Sequence, residues 1–411
     1  MKRNVFTAVL ILLSAVATAA DWPRFRGPQG TGISAETGLV TTWPQAGLTK
    51  LWEHPLGEGY SEMIAVGNRI YTMTQFGEKG KKRCFLLALN ADTGLEIWRR
   101  DVGEGFEVVY DGPRASPTVD GDRIFVLGPK GALFALSLAD GKPLWDVHLA
   151  TQLGAKASVN GFSVSPLVIG NQLLLDTGAG ENGLFSSFEK DSGQRRWHAL
   201  TGTPGCMTPL VATLADTRQL IFAKDDALVA LDLSGKLLWS HPLTLEGETF
   251  ATPVFFAPDL VFLSSTRRNG ALMVQIKKQG DVFQAQEKWS NRSMKNHFSS
   301  SIGLQGFLFG FDNATLKCIA AEDSSLAWAR RGFGKGSLIL ADNKFFILSD
   351  RGKLTVIKAS SKAFEELGSQ QVLSGSRCHT APSISGGRIY MRNHTNMACY
   401  ALNEAGLEVA Q

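Results

Sequence analysis

The chain has 411 residues, of which 44% are hydrophobic and 19% are charged, an ordinary hydrophobic content for a globular protein combined with a low charge. The 42 basic and 38 acidic residues give a formal net charge of +4, and this near balance argues against the basic surface that nucleic-acid binding requires. The 43 glycines favour an all-β chain with many tight turns over a helical one.

The first 20 residues predict a secretory signal peptide. Lys2 and Arg3 precede a short apolar stretch, and small residues follow it up to Ala20. The stretch is shorter than the roughly 20 apolar residues of a transmembrane helix, and no later segment is long enough to span a bilayer. No cysteine stands at the cleavage point, so a lipid anchor is not expected there. We therefore expect a monomer that is periplasmic or secreted and is not a lipoprotein.

A leader segment over 21–48 is expected to pack on a repeat domain over 49–411. The repeat begins with a Ser/Thr-Pro step and an apolar run, turns at Gly-Asn or Gly-Asp, and continues with two further apolar runs. An Asp-x-Gly turn then leads to a fourth run that starts near a tryptophan. Ser116-Pro117 to Trp145 is the clearest copy. The repeat tryptophans are Trp52, Trp98, Trp145, Trp197, Trp239, Trp289 and Trp328.

The repeat predicts an all-β, eight-bladed β-propeller with four-stranded antiparallel blades. The tryptophans lie about 40 to 50 residues apart, which is the length of four short strands and their turns. The last copy lacks its fourth strand, and Leu51 to His54 resembles that strand alone. Pairing of this N-terminal strand with the last blade closes the ring and removes open sheet edges.

Three segments carry a family resemblance: Ala88 to Trp98, Ala135 to Trp145 and Ala230 to Trp239. Their Ala-Leu, Asp-x-Gly and Trp pattern resembles the repeat of the pyrroloquinoline-quinone (PQQ)-like propeller family. The segment from Asp21 to Pro28 is similar to the leader of an exported bacterial subgroup of that family. The resemblance implies either a PQQ-dependent dehydrogenase with calcium or a non-enzymatic propeller of the cell envelope.

Features of the dehydrogenase branch are missing from this sequence. There are no adjacent cysteines, and the two tryptophans outside the repeat positions, Trp22 and Trp43, stand in the leader segment. No tryptophan is left to form a cofactor floor. We therefore expect no cofactor and no metal, and keep PQQ with calcium as the alternative.

A binding site is expected where loops enter the innermost strands, at one mouth of the channel. Superposing the copies places mainly basic and aromatic residues there, together with Cys206, and Glu62 is among their neighbours. Such side chains favour an anionic ligand or an acidic peptide, although a merely solvated polar mouth is the alternative. The predicted ligand-binding residues are Tyr60, Arg114, Ser163, Phe250, His297, Phe298, Lys335, Arg377 and His379.

These observations favour an exported, non-catalytic binding or scaffold module for a protein, peptide or glycan in the cell envelope. A PQQ-dependent alcohol or sugar oxidoreductase is the first alternative. A hydrolase or lyase that uses His379 or His297 as a base is the second. The histidines have no close metal-ligand spacing, and no catalytic residue is assigned from the sequence.

Overall fold

The computed structural model describes residues 20–203, 205–224, 226–243, 245, 248–267 and 269–408. The predicted signal peptide lies outside the described residues except for Ala20. The described residues form eight four-stranded antiparallel sheets, which are the blades of a β-propeller. The all-β fold class, the number of blades and their strand number are therefore confirmed.

Each of the first four blades is a meander whose first strand lies innermost. Blade 1 consists of Ile64–Val66, Arg69–Phe76, Arg83–Asn90 and Glu96–Glu104; blade 2 of Thr118–Asp120, Arg123–Leu127, Ala132–Ser137 and Pro143–His148; blade 3 of Leu167–Ile169, Gln172–Asp176, Phe185–Glu189 and Arg195–Ala199; and blade 4 of Leu210–Leu214, Thr217–Lys224, Ala227–Leu231 and Leu237–Pro242.

The remaining blades follow the same order, except that the fourth strand of blade 8 comes from the N-terminal side of the chain. Blade 5 consists of Val254–Phe256, Leu260–Ser264, Ala271–Gln279 and Val282–Asn291; blade 6 of Ile302–Leu304, Phe307–Asp312, Thr315–Ala320 and Leu326–Arg331; blade 7 of Ser337–Ala341, Lys344–Leu348, Lys353–Lys358 and Glu366–Gln371; and blade 8 of Ser383–Ser385, Arg388–Arg392, Asn396–Ala401 and Lys50–Pro55.

Among the described residues, helical structure is confined to short segments. These are the α-helices α1, Leu149–Leu153, and α2, Glu404–Glu408, and a 3-10 turn, Gly180–Asn182. Within the described ranges, no helix is both long and apolar enough to cross a bilayer.

The ring closes as the sequence predicts. The strand Lys50–Pro55 pairs antiparallel with Asn396–Ala401, which sets Trp52 opposite Cys399 and His54 opposite Met397. This pairing covers the edge of the strand Asn396–Ala401, so blade 8 has the same four-stranded form as the others.

Hydrophobic side chains fill the spaces between neighbouring blades. One buried cluster joins Leu174 of blade 3, Leu228 of blade 4 and Val261 of blade 5. Because each strand alternates its side chains between two faces, both faces of a blade can contribute to such a cluster. The core is therefore a ring of interfaces between blades.

The Ser/Thr-Pro steps connect the innermost strands. The backbone N–H of Glu62 donates to Ser116 Oγ at 3.0 Å, and the N–H of Ser116 donates to Ser165 Oγ at 2.9 Å. The N–H of Ser165 donates to Thr208 Oγ1 at 3.0 Å. Each hydroxyl thus accepts from the preceding blade, which satisfies buried backbone donors around the channel.

The repeat tryptophans connect the outer parts of the blades. Trp52 Nε1 donates to Ala91 O of blade 1 at 2.9 Å, and its ring lies against Gly94 in the turn of that blade. Trp98 and Trp145 make the equivalent contacts with the blades that follow them. A glycine is required at this turn because it has a positive φ and because the indole ring occupies the space of a Cβ.

The leader segment lies across the end of the channel formed by the hairpins between first and second strands. Asp21 accepts from the N–H of Gly67 in the hairpin of blade 1, and Glu36 accepts from Gly386 and Gly387 in that of blade 8. Between these anchors, Trp22 is fully buried and pairs with Ala65 of blade 1. Further along, Ile33 pairs with Leu340 of blade 7. The leader thereby crosses the channel and gives it a floor.

Candidate functional site

A cavity of about 300 Å³ occupies the end of the channel opposite the hairpins that hold the leader. Its walls come from the loops that enter the innermost strands, as the superposed repeats predict. Seven of the nine predicted ligand-binding residues line it: Tyr60, Arg114, Ser163, Phe250, His297, Phe298 and His379. Cys206, which the superposition also places there, and its expected neighbour Glu62 line the cavity as well. That these residues bind a ligand stays a prediction.

Lys335 and Arg377, the other two predicted residues, lie at the border of the cavity. Lys335 Nζ is 3.4 Å from His297 Nε2 and 5.6 Å from the centre of the Phe298 ring. The Arg377 guanidinium lies 5.4 Å from the centre of the Tyr110 ring and lines an adjoining cavity of about 350 Å³. Both cations therefore stand over aromatic faces beside the site.

Four rings form a column along one wall. Phe298 and His379 stack with centroids 4.3 Å apart, His379 and Tyr60 follow at 6.0 Å, and Tyr60 stacks on His394 at 5.1 Å. Tyr110 packs its ring at a steep angle against Tyr60 and Phe298. Phe298, His379 and Tyr60 line the cavity, and His394 continues the column into the adjoining cavity. The loops of blades 1, 6 and 8 thus supply this aromatic surface.

Arg114 holds together two loops at the mouth, residues 105–114 and 154–163, which we call the rim loops. Its Nη2 donates to Tyr110 O at 2.7 Å and its Nη1 donates to Asn160 O at 3.0 Å. Burial lowers the pKa of this guanidinium. Among the described residues, no carboxylate forms an ion pair with Arg114, Lys335 or Arg377. These three cations therefore have no contact ion pair, although Asp111 lies near Arg114 and Asp350 accepts from the backbone N–H of Lys335.

The leader supplies the floor of the cavity through Phe25 and Arg26. The backbone N–H of Arg26 donates to Glu62 Oε2 at 2.8 Å, and Arg26 Nη2 donates to Ser301 O at 3.1 Å. Arg26 is 3% exposed and Glu62 is 1% exposed. Burial raises the pKa of Glu62 to about 7, against the opposing effect of Arg26, and burial lowers the pKa of Arg26 to about 10.

The two histidines of the cavity are neutral at pH 7. Burial, together with the nearby Lys335 ammonium, lowers the pKa of His297 to about 4. Burial, together with Arg377, lowers the pKa of His379 to about 4. Since the Lys335 ammonium can only donate, His297 Nε2 accepts and the ring proton is on Nδ1.

Several lining residues were missed by the sequence analysis. Tyr110 and Asn160 belong to the rim loops, which vary in length from blade to blade and so fall outside any superposition of repeats. Phe25 and Arg26 come from the leader, whose path across the channel has no periodic signal. The burial of a charged leader residue could be found only once the three-dimensional path was known.

The potential metal-ligating side chains of the described residues do not indicate a metal centre. Over the part of the chain that the structure describes, no group of three or more His, Cys, Asp or Glu residues is placed to hold a metal ion. All five cysteines are free thiols, and four of them are buried.

Comparison with known proteins gives one family match. The family model described as outer membrane protein assembly factor BamB matches residues 82–330, which is more than half of the chain. Two curated relatives with that name are similar to the chain. The protein from Moranella endobia is 29% identical over 191 residues, which are 44% of each chain. The protein from Burkholderia pseudomallei is 28% identical over 221 residues, which are 51% of this chain and 49% of the relative.

These alignments span about half the length of the curated relatives. Among solved structures, a quinohemoprotein alcohol dehydrogenase from Comamonas testosteroni superposes with a TM-score of 0.64 at 14% identity. That superposition covers 93% of this chain and 80% of the dehydrogenase. At such low identity, the likeness establishes the shared propeller fold alone.

Proposed function

Because this chain belongs to the family described as outer membrane protein assembly factor BamB, we propose that it is a non-catalytic scaffold that binds a protein partner in the cell envelope. The membership confirms the PQQ-like repeat resemblance seen from Ala88 to Trp98. The curated relatives are named as assembly factors, which supports a role in contact with other proteins. The predicted signal peptide supports a periplasmic or secreted location.

The observation that carries the proposal is the exposed apolar surface of the rim loops. Val109 is 83% exposed and Val159 is 82% exposed, and Val108 beside them is also exposed. Single exposed valines are common, but here the hydrogen bonds of Arg114 to Tyr110 O and Asn160 O hold both loops in one arrangement. A preorganised surface loses less conformational entropy when a partner binds.

The charged side chains near the rim loops indicate the chemistry of the partner. The cavity of about 350 Å³ beside Val108 and Val109 is lined by Asp111 and Arg377. Asp111 is in ion-pair contact with Lys82, whereas Arg377 has no carboxylate in ion-pair contact among the described residues. Lys335 and Arg114 add positive charge nearby. We infer that the partner presents a segment with apolar and acidic side chains to the rim loops, because that combination covers the valines and neutralises the cations.

Photo-crosslinking tests this proposal in the organism's own cells. A photo-crosslinking residue replaces Val109 or Val159 in the full chain, and Val282, an exposed valine on the outer hairpin of blade 5, serves as the matched control position. We expect the same envelope protein to be captured from both rim positions and not from position 282. Its capture should fall about tenfold in an Arg377→Met background. Capture from neither rim position, or equal capture from position 282, contradicts the proposal.

The PQQ-dependent alternative has less support from the site. The Phe298 and His379 rings are already stacked at 4.3 Å, so a planar quinone has no space between them. The described residues also offer no carboxylate grouping suited to a calcium ion. Neither a slot between these two rings nor a cluster of potential calcium ligands in the described residues supports the quinone and calcium pair.

The hydrolase or lyase alternative also has less support. His297 accepts from Lys335, and His379 stacks on Phe298. Within the described part of the chain, neither ring is hydrogen-bonded to a serine, threonine or cysteine side chain that it could activate. Turnover of a small molecule by the purified chain, lost on replacing both histidines, would restore this alternative.

A further inference from the structure

Three adjoining segments at the mouth end of blade 7 carry most of their charge as cations. They are residues 331–336, 349–353 and 371–379, which we call the basic surface. The first and third lead into the innermost strands of blades 7 and 8, and the second is the hairpin between the second and third strands of blade 7. Because the strands of a blade alternate in direction, all three segments lie at the same end. Their charged residues are the cations Arg331, Lys335, Arg351, Lys353 and Arg377 and the carboxylate Asp350.

Hydrogen bonds hold the three segments together around Asp350. Its backbone N–H donates to Phe333 O at 3.1 Å, and its Oδ2 accepts from the N–H of Lys335 at 3.2 Å. Its carbonyl oxygen accepts from the N–H of Cys378 at 3.1 Å. Gln371 Nε2 donates to Arg351 O at 2.7 Å. The five cations are therefore presented by one connected surface, whose arrangement exists before anything binds to it.

The positive charge of this surface has little compensation within the chain. Arg331, Arg351, Lys353 and Arg377 are exposed, and Lys335 is half-buried. None of the five forms an ion pair with a carboxylate of the described residues. Asp350 is the one acidic group in the three segments, so five cations face one carboxylate. Such a surface attracts an extended anion.

The absence of exposed apolar side chains from the basic surface favours a lipid headgroup layer over a protein. Its large hydrophobic residues, Phe333, Val372 and Leu373, are all buried. Protein interfaces contain an apolar core, whereas anionic headgroups attract basic residues by charge alone. The exposed Val108 and Val109 of the rim loops adjoin this surface only at Arg377.

We propose that the basic surface docks the chain on the phosphate headgroups of a bilayer that contains anionic phospholipids. Guanidinium groups bind phosphate oxygens through paired hydrogen bonds, and each cation near such a surface strengthens binding by about fivefold. Docking in this way turns the channel mouth and the rim loops towards the membrane. The proposal goes beyond the protein-binding function and does not rest on it.

Cosedimentation with vesicles tests the proposal. The chain from Asp21 onwards is used, so that the apolar residues of the predicted signal peptide cannot insert into the bilayer. Vesicles with about 30% phosphatidylglycerol in phosphatidylcholine should bind it about tenfold or more tightly than pure phosphatidylcholine vesicles. Raising the salt concentration from about 0.02 M to about 0.2 M should weaken this binding severalfold, because salt screens exposed charges. Equal binding to both vesicles, or binding to neither, overturns the proposal.

A pair of charge-matched double variants assigns the binding to the basic surface. Arg351→Met with Lys353→Met should lower the affinity for phosphatidylglycerol vesicles about tenfold or more. Lys142→Met with Lys236→Met removes the same charge from exposed turns at the opposite end of blades 2 and 4, and should bind as the parent does. Thermal unfolding verifies that both variants are folded. Equal loss in the two variants means that net charge alone is responsible and contradicts the proposed surface.

Poly-L-glutamate is the probe for an acidic protein in place of the bilayer. If it binds the parent chain, loses affinity in the Arg351→Met and Lys353→Met variant, and the vesicles do not bind, the surface recognises acidic proteins and the proposal is wrong. The vesicle tests change none of the residues used in the crosslinking experiment. Failure of one proposal is therefore distinguishable from failure of the other.

Discussion

Glu62 is a carboxyl group enclosed by the leader and the innermost strand of blade 1. Its Oε2 accepts from the backbone N–H of Arg26 and from Trp22 Nε1, while its Oε1 has no partner among the described residues. Burial outweighs these interactions and raises its pKa from 4.5 to about 7. Between those two pH values the folded chain keeps a proton that the unfolded chain releases.

This shift predicts the pH dependence of stability. The contribution of Glu62 is fully present below about pH 4.5 and is lost as the pH rises through 7, because ionisation of the buried carboxyl is then forced on the folded chain. Glu62→Gln has no such group. Its free energy of unfolding should therefore rise relative to the parent by about 2–3 kcal/mol between pH 5 and pH 8. Urea unfolding at several pH values measures the difference.

Glu248→Gln provides the control, since this carboxyl lies on the same cavity but is exposed. Its stability difference from the parent should change little over that pH range. A Glu62→Gln difference that is also constant with pH would show that the carboxyl is ionised in the folded chain throughout.

At the residue scale, the sequence predicted the site residues that belong to the repeat, but it did not predict the site residues in non-repeating loops and in the leader. Tyr60, Arg114 and His379 hold equivalent places before innermost strands, so superposing the copies was enough to bring them together. Tyr110 and Arg26 lie in a loop and in the leader, where no second copy exists for comparison. Their positions follow from tertiary contacts such as that of Arg26 Nη2 with Ser301 O.

At the scale of elements, the pairing of a tryptophan with the next blade's turn glycine is the recurring link between blades. Gly94 has a φ of 69°, and a Cβ added to it would lie 2.7 Å from Trp52 Cε3 and 2.6 Å from His54 Cδ2. Gly121 has a similar φ of 61°, but nothing lies within 4 Å of its Cβ position. The two glycines thus share the backbone requirement and differ in packing.

Replacing each of these two glycines by alanine separates the free-energy cost of backbone strain from the cost of lost packing space. Gly121→Ala should cost about 1 kcal/mol, from the left-handed backbone alone. Gly94→Ala should cost about 1–3 kcal/mol more, because the indole ring must shift. Denaturant unfolding of both variants gives the comparison. Equal losses would mean that the tryptophan contact adds nothing to the turn.

The sequence predicted these turns but not all of the contacts that connect neighbouring blades. Gly-Asp and Asp-x-Gly steps predict a glycine with a positive φ, so the turns could be located from the local sequence. The role of the serine in each Ser/Thr-Pro step could not be predicted locally. Ser165 Oγ, for example, accepts from the backbone N–H of Ser116, which is in another blade and 49 residues away. Local sequence does not encode which donor will lie opposite a hydroxyl.

At the scale of the whole molecule, closure depends on more than the pairing of Lys50–Pro55 with blade 8. Arg392, on the second strand of blade 8, is fully buried and donates to groups of blade 1 and the segment before it. Its Nη1 donates to Met73 O at 2.9 Å and Thr72 Oγ1 at 3.1 Å, and its Nη2 donates to Gly57 O at 3.2 Å. One guanidinium therefore joins the last blade to the first.

Replacing Arg392 should weaken the ring at this junction. Arg392→Met keeps a long side chain but leaves buried carbonyl oxygens of Met73 and Gly57 without their donor, so the free energy of unfolding should fall by about 3 kcal/mol or more. Arg331→Met, on the exposed outer strand of blade 6, is the control and should change it by about 0.5 kcal/mol or less. Urea unfolding followed by tryptophan fluorescence measures both variants, since the repeat tryptophans are distributed over seven of the eight blades. If Arg392→Met unfolds like Arg331→Met, strand pairing and apolar packing alone hold the two ends of the chain together.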